Sequence, residues 1–250
     1  MYIMSNLLID IGNTMTKIAV SDENGIVARA VTSHLTESEL EAIMMQNPLI
    51  DKAIVAATGS DGDRVFAMVE PRVRYALKLT AETPMPVVNG YATPATLGVD
   101  RLAAAVGAQS VCGGRNLLIV DFGTAITVDM VTDGVFRGGN ISPGAGLRFK
   151  ALHECTSKLP LCGPTDERME FGTSTRTAIE QGVMQGIEHE IRGYIADFGA
   201  RYENLCIIFT GGDANFFVKR IKNTIFANRD LIFIGLNGIL EYNAEREKDK

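Results

Sequence analysis

Positive charge is in short supply: 24 lysines and arginines stand against 30 aspartates and glutamates, a formal net charge of −6. That balance excludes the basic face on which nucleic-acid and anionic-membrane binding depend. Cysteine is scarce as well. Cys112, Cys155, Cys162 and Cys206 form no CxxC pair, so neither a zinc site nor a dithiol redox motif is indicated, and four free thiols in a reducing compartment are expected. No stretch approaches the roughly 20 apolar residues of a membrane-spanning helix. Lysine and arginine are missing ahead of the first apolar run and no cleavage site follows it, so no signal peptide is read. These absences together predict a soluble, cytoplasmic protein with no nucleic-acid or membrane partner. Two phosphate-binding signatures, GxGxxG and GxxxxGK[ST], are also missing. An acidic chain without them can still bind phosphate, but only with turn amides, helix N-termini, single basic residues and a metal.

What is present is a chain of 250 residues, 46% hydrophobic, long enough to bury one large core or two smaller ones. Residues 7–20, LLIDIGNTMTKIAV, read as strand, tight turn, strand, with Asp10 at the end of the first strand. The same grammar returns in residues 116–131, NLLIVDFGTAITVDMV. Aligning Asp10 with Asp121 also aligns Gly12 with Gly123 and Asn13 with Thr124, which suggests a duplicated half. The Cys112-Gly113-Gly114-Arg115 turn marks the boundary, giving halves of 1–112 and 113–250. Thr36 and Glu39 have capping-box spacing and predict a helix over 36–46. Ala103 to Ala108 predict a tightly packed helix. Residues 138–147, GGNISPGAGL, predict a flexible loop feeding a helix from about Gly144. Ile179, Val183, Ile187, Ile191 and Ile195 predict a long amphipathic helix over 175–202. Residues 205–214 predict a strand ending in a glycine pair, and the chain closes with a helix and a charged, frayed tail.

The acids at strand ends carry the chemistry. Unpaired buried charge is expensive, so Asp10 and Asp121 make sense if a cation meets them. Glycine two residues on lets the backbone approach a phosphate, and Asn13, Thr14 and Thr124 can donate hydrogen bonds. Mg²⁺ takes one or two carboxylates together with phosphate oxygens and waters, which suits such turns. A second candidate is Gly98-Val99-Asp100-Arg101 at the entrance to the small-residue helix. Two readings stand open there. Asp100 caps the helix and pairs with a cation, or Asp100 takes a hydroxyl proton while Arg101 binds a substrate carboxylate. His34, His153 and His189 fall near no motif and are expected to be surface or satisfied residues.

Taken in order, DIGNT (10–14), Tyr91 seven residues before GVDR (98–101), DFGTAIT (121–127), GGNISPG (138–144) and GTST (172–175) resemble the type III pantothenate kinases of bacteria. Those enzymes belong to the acetate and sugar kinase/Hsp70/actin superfamily. The resemblance implies an α/β, duplicated ribonuclease H-like (actin-like ATPase) fold: two similar halves, each with a mixed sheet flanked by helices, around an interdomain cleft. It implies ATP-dependent phosphorylation of pantothenate, the first step of coenzyme A synthesis. Asp10, Ile11, Gly12, Asn13, Thr14, Met15, Thr16 and Lys17 would form the first phosphate loop, with Asp10 serving Mg²⁺ through the phosphates. Thr124 would contact ATP. Asp100 would be the general base, and Tyr91, Gly98, Val99 and Arg101 would line the pantothenate site. Asp121 would hold a monovalent cation, K⁺ or NH₄⁺. Thr175 would reach the partner subunit's pantothenate pocket in a homodimer. Another small-molecule kinase of the superfamily, acting on a sugar or short acid, a regulatory accessory factor sharing these motifs, and an actin-like assembly protein are the other readings.

Overall fold

Strand β1 (Ser5–Ile11) is buried at every position. A strand covered on both faces has no polar alternation to keep, which is why SNLLIDI reads as an almost unbroken apolar run. In the computed structural model, which describes residues 4–59, 61–221, 223 and 225–248, the chain parts into two compact units. The first comprises Met1–Gly114, Val131–Gly138 and Asp230–Lys250, and the second Arg115–Met130 and Gly139–Arg229.

In the first unit, β1 pairs antiparallel with β2 (Thr16–Asp22), which pairs antiparallel with β3 (Gly25–Thr32). On its other side β1 runs parallel to β4 (Ile50–Ala57), and β4 to β5 (Tyr75–Lys78). The sheet order is β3-β2-β1-β4-β5. Helix α1 (Glu37–Gln46) starts as its sequence predicts: the Thr36 side chain accepts the Glu39 N–H, and the Glu39 carboxylate accepts the Thr36 N–H. Helix α2 (Gly62–Val69) supplies Val65, Met68 and Val69 to a core shared with Leu7, Ile9, Ile18, Leu40 and Val55. Removing each such side chain from water contributes about 1.5–3 kcal/mol.

Helix α3 (Val99–Cys112) has ten buried residues, five of them alanine or glycine. The small side chains let it approach α7 (Leu231–Lys248) closely: a Cβ on Gly235 would stand 1.7 Å from the Ala103 carbonyl oxygen. Helix α7 is tied in turn to β1 and β4. Asn6 Nδ2 donates to Asn237 Oδ1 at 2.8 Å, and Glu241 takes both Asn6 and the Lys52 ammonium. The last helix therefore runs on to Lys248 rather than fraying, and residues 249–250 lie outside the described residues. Also in this unit, β6 (Val88–Asn89) pairs parallel with the start of β9 (Val135–Pro143).

The second unit repeats the order. β7 (Asn116–Phe122), β8 (Ala125–Thr132) and β9 are successive neighbours, while β7 runs parallel to β10 (Leu205–Thr210) and β10 to β11 (Ile225–Ala227). In both units the first strand is central, the next two lie to one side and the later two to the other. That repetition is the duplicated ribonuclease H-like fold. Helices α4 (Ala145–Glu154), α5 (Thr175–Arg201) and α6 (Ala214–Arg220) complete it. Ile179, Val183, Ile187, Ile191 and Ile195 of α5 are all buried in a core with Phe122, Phe209 and Phe217. The Phe122 ring stacks on Phe217 with centroids 4.6 Å apart. Buried Glu188 accepts from buried Arg220 and from exposed Arg168, each at 3.1 Å.

Two further expectations need correction. Residues 138–143 complete strand β9 instead of forming a flexible loop. Gly138 sits within that strand at φ 126°, and Pro143 ends it, where no ladder donor is needed. A count of glycine and proline therefore overstates looseness. Cys155 and Cys162 are free thiols, but Cys112 and Cys206 are disulfide-bonded, which local spacing along the sequence does not reveal. Among the described residues, no helix is long and apolar enough to cross a membrane.

Candidate functional site

The first acidic turn is built by the β1–β2 hairpin. Gly12 N–H donates to the Met15 carbonyl at 3.1 Å, closing a tight turn that leaves Gly12, Asn13, Thr14 and Met15 exposed. Ile11 and Thr16 are buried at its two roots, and Lys17 is exposed. Asp10 lies one residue before the end of β1, opposite Lys17 on β2 and Ala56 on β4. It is only 5% exposed. Burial pushes its carboxyl up to about 6; the Lys17 ammonium works against that, and the Asp100 carboxylate adds to it. Asp10 and Asp100, 90 positions apart in sequence, thus come within electrostatic reach of each other.

Asp100 is the second residue of α3, whose N-cap is Gly98 with no side-chain hydrogen bond. Asp100 is therefore not the cap. Its Oδ1 accepts the N–H of Arg101 at 2.9 Å, which fixes its rotamer at the helix entrance. Val99 is buried against the core, while Gly98 and Asp100 are half-buried. Arg101, which composition places awkwardly in a first helical turn, is buried at 7% exposure. Its guanidinium carbon lies 5.7 Å from the centroid of Tyr91. Asn89 Oδ1 accepts the Tyr91 N–H at 3.0 Å and so sets the backbone that presents this ring. Tyr91, Gly98, Val99, Asp100 and Arg101, named from sequence, are thus gathered in the first unit together with Asp10.

The second acidic turn belongs to the other unit and is described by itself. Asp121 is the penultimate residue of β7, opposite Thr210 on β10, a placement parallel to that of Asp10. Gly211, at φ 89°, crowds it: a Cβ there would stand 2.4 Å from Asp121 Oδ1 and 2.6 Å from the Phe122 backbone. The Gly144 N–H donates to the Thr124 carbonyl at 3.0 Å, so the start of α4 abuts this turn. Thr124 is exposed in the turn itself. Asp213 stands near it, its N–H donating to the Phe122 carbonyl at 3.2 Å, and burial raises its carboxyl above the ordinary value. Thr175 opens α5 just after the cap Ser174 and is exposed. Sequence reasoning assigned nothing to Asn89, Gly211 or Asp213; the glycine pair after β10 was the one signal available, and it was read as a strand ending.

The donor set bears on metals. Among the described residues, no three His, Cys, Asp or Glu side chains gather as a metal cage. A buried carboxylate held up by desolvation, next to an exposed turn of amides and hydroxyls, fits a cation that arrives with phosphate oxygens as its other ligands. Asp10 is suited to Mg²⁺ on that ground. Asp121 offers a single half-buried carboxylate at the end of β7.

Comparison with known proteins bears on the whole chain. A family model described as type III pantothenate kinase matches residues 6–197. A type III pantothenate kinase of Bacteroides fragilis is 43% identical over 242 residues, covering 96% of this chain and 99% of that protein. Among solved structures, a Baf family protein from Campylobacter jejuni aligns with TM-score 0.65 at 21% identity, over 96% of this chain and 99% of that one. A ROK family glucokinase from Streptomyces griseus, solved with glucose and AMPPNP, aligns with TM-score 0.51 at 13% identity, over 95% and 98%. The last two speak to the fold alone.

The displaced carboxyl of Asp10 makes stability depend on pH. Its folded value of about 6 exceeds the unfolded 3.8, so its favourable share is fully present below 3.8 and is lost as pH rises through 6. Above that, the charge costs about 3 kcal/mol. Asp10→Asn is therefore expected to raise the urea stability of the ligand-free protein at pH 8. The gain should disappear at pH 4. A gain that is the same at both pH values, or a loss at pH 8, would contradict the desolvation account.

Proposed function

The chain belongs to the type III pantothenate kinases, and from that membership we propose how its residues carry out the ATP-dependent phosphorylation of pantothenate in coenzyme A synthesis. One observation carries the proposal: Asp100 is held by its own helix entrance within electrostatic reach of the buried Asp10. A carboxylate at the acceptor and a second one at the phosphates are what phosphoryl transfer to an alcohol needs.

Arg101 takes the substrate carboxylate, with Tyr91, Gly98 and Val99 around it. That contact aims the primary hydroxyl at Asp100. As the hydroxyl oxygen attacks the γ-phosphorus of ATP in line, Asp100 accepts its proton; the bond to the β,γ-bridging oxygen breaks, and ADP leaves with 4'-phosphopantothenate formed. The amides and side chains of Gly12 to Lys17 hold the phosphates and keep them from drifting, and Thr124 contacts ATP. Asp10 would hold Mg²⁺ through those phosphates and Asp121 a K⁺ or NH₄⁺ ion, and such cations supply positive charge where negative charge develops. Thr175, exposed at the start of α5, would complete the pocket of a second copy in a homodimer working in the cytoplasm. Exposed Ile141, Leu147 and Phe171 in the same unit give such a pairing an apolar surface.

Asp100→Asn tests the assignment of the base. Turnover in a coupled ADP-release assay should fall about 10²- to 10⁴-fold while calorimetry still detects pantothenate binding. Near-normal turnover would remove Asp100 from that role. The Asp121 assignment has its own check: pantothenate-dependent turnover should collapse when K⁺ is replaced by Na⁺, and turnover that persists in Na⁺ alone would contradict it.

A further inference from the structure

The Arg101 guanidinium is flanked by a second ring. Its central carbon lies 5.6 Å from the centroid of Phe136, almost the same distance as from Tyr91. The two rings meet edge to face, with centroids 6.2 Å apart and planes at 60°. Phe136 is 0% exposed and is the second residue of β9. Strand β6 fixes it there: Val88 N–H donates to the Gly134 carbonyl at 2.9 Å and Gly90 N–H to the Phe136 carbonyl at 3.0 Å. That pairing joins the two segments that carry the rings, because Asn89 and Tyr91 follow directly along the same stretch.

An arginine side chain has several torsions to lose before its planar fork can meet a carboxylate in two parallel hydrogen bonds. An aromatic face on a desolvated guanidinium restricts that plane and attracts the charge. We infer that Phe136 is a positioning residue for Arg101, setting the plane of the guanidinium that receives the pantothenate carboxylate. The inference rests on the reading that Arg101 takes that carboxylate. Phe136 is buried so completely that it acts through Arg101 and not by touching substrate.

The test is a double-mutant cycle in steady-state kinetics on the full-length enzyme. Phe136→Leu should raise the KM for pantothenate about 3- to 30-fold, with kcat within twofold and the KM for ATP unchanged. Phe136→Met, longer and more flexible, serves if the leucine variant does not fold. In an Arg101→Leu background, Phe136→Leu should have no further effect on the pantothenate KM. If it multiplies KM by the same factor in both backgrounds, or lowers kcat and raises the ATP KM alongside, Phe136 is only a core residue and the inference falls by itself. If Arg101→Leu alone leaves the pantothenate KM unchanged, the carboxylate assignment falls first and takes the inference with it.

Discussion

A carboxylate kept out of water at the end of a central strand is the constraint on which the rest of this structure depends. Asp10 is nearly fully buried, and its ionised form is disfavoured by burial and by Asp100, with the exposed Lys17 as the opposing influence. Such a group destabilises the ligand-free protein at neutral pH. The cost is tolerable because β1 is locked between β2 and β4 and lined by Leu7, Ile9 and Ile11. On the proposed reading it serves a cation that comes with phosphates, since the carboxylate would already be in place and little reorganisation would remain.

Helix α3 brings the second carboxylate to the same unit, and its packing explains how. Alanine and glycine along α3 let α7 approach to backbone contact, and α7 is fastened to β1 and β4 through Asn6, Lys52 and Glu241. The entrance of α3, with Asp100 and Arg101, is thereby referenced to the strand that holds Asp10. The other unit repeats the strand order and the position of the acid but not its neighbours. Gly211 closes on Asp121 and the start of α4 on the Thr124 turn, while Lys17 stands opposite Asp10 on the adjoining strand. One inherited turn has been fitted with two sets of surroundings, consistent with different duties for the two halves.

Much of this was legible in the amino-acid sequence, for physical reasons. Strands buried on both faces read as apolar runs, so β1 and β7 were visible, and an acid at the end of each stood out. The capping box of α1 and the one-turn spacing of isoleucine and valine in α5 are local signals and were read correctly. Strand β9 was not, because Gly138, Gly139 and Pro143 look like loop residues when the pairing that orders them cannot be seen. Phe136 gave no sign at all. A buried phenylalanine is ordinary core until the fold sets its ring beside an arginine 35 positions earlier. The Asn89 hydrogen bond that presents Tyr91 and the disulfide state of Cys112 and Cys206 are likewise products of tertiary structure.

Asp10 is a desolvated carboxylate at the end of a central strand, and the proposed function makes a phosphate-bound cation its partner. Carbon-13 NMR of the aspartate carboxyl signals, titrated without ligand and again with Mg²⁺ and a non-hydrolysable ATP analogue, reads it directly. The Asp10 midpoint is expected at about 6 in the free protein, moving down toward or below the ordinary aspartate value when the complex forms. An Asp10 that titrates near 3.8 when free, or whose midpoint is unmoved by the ligand, would contradict it.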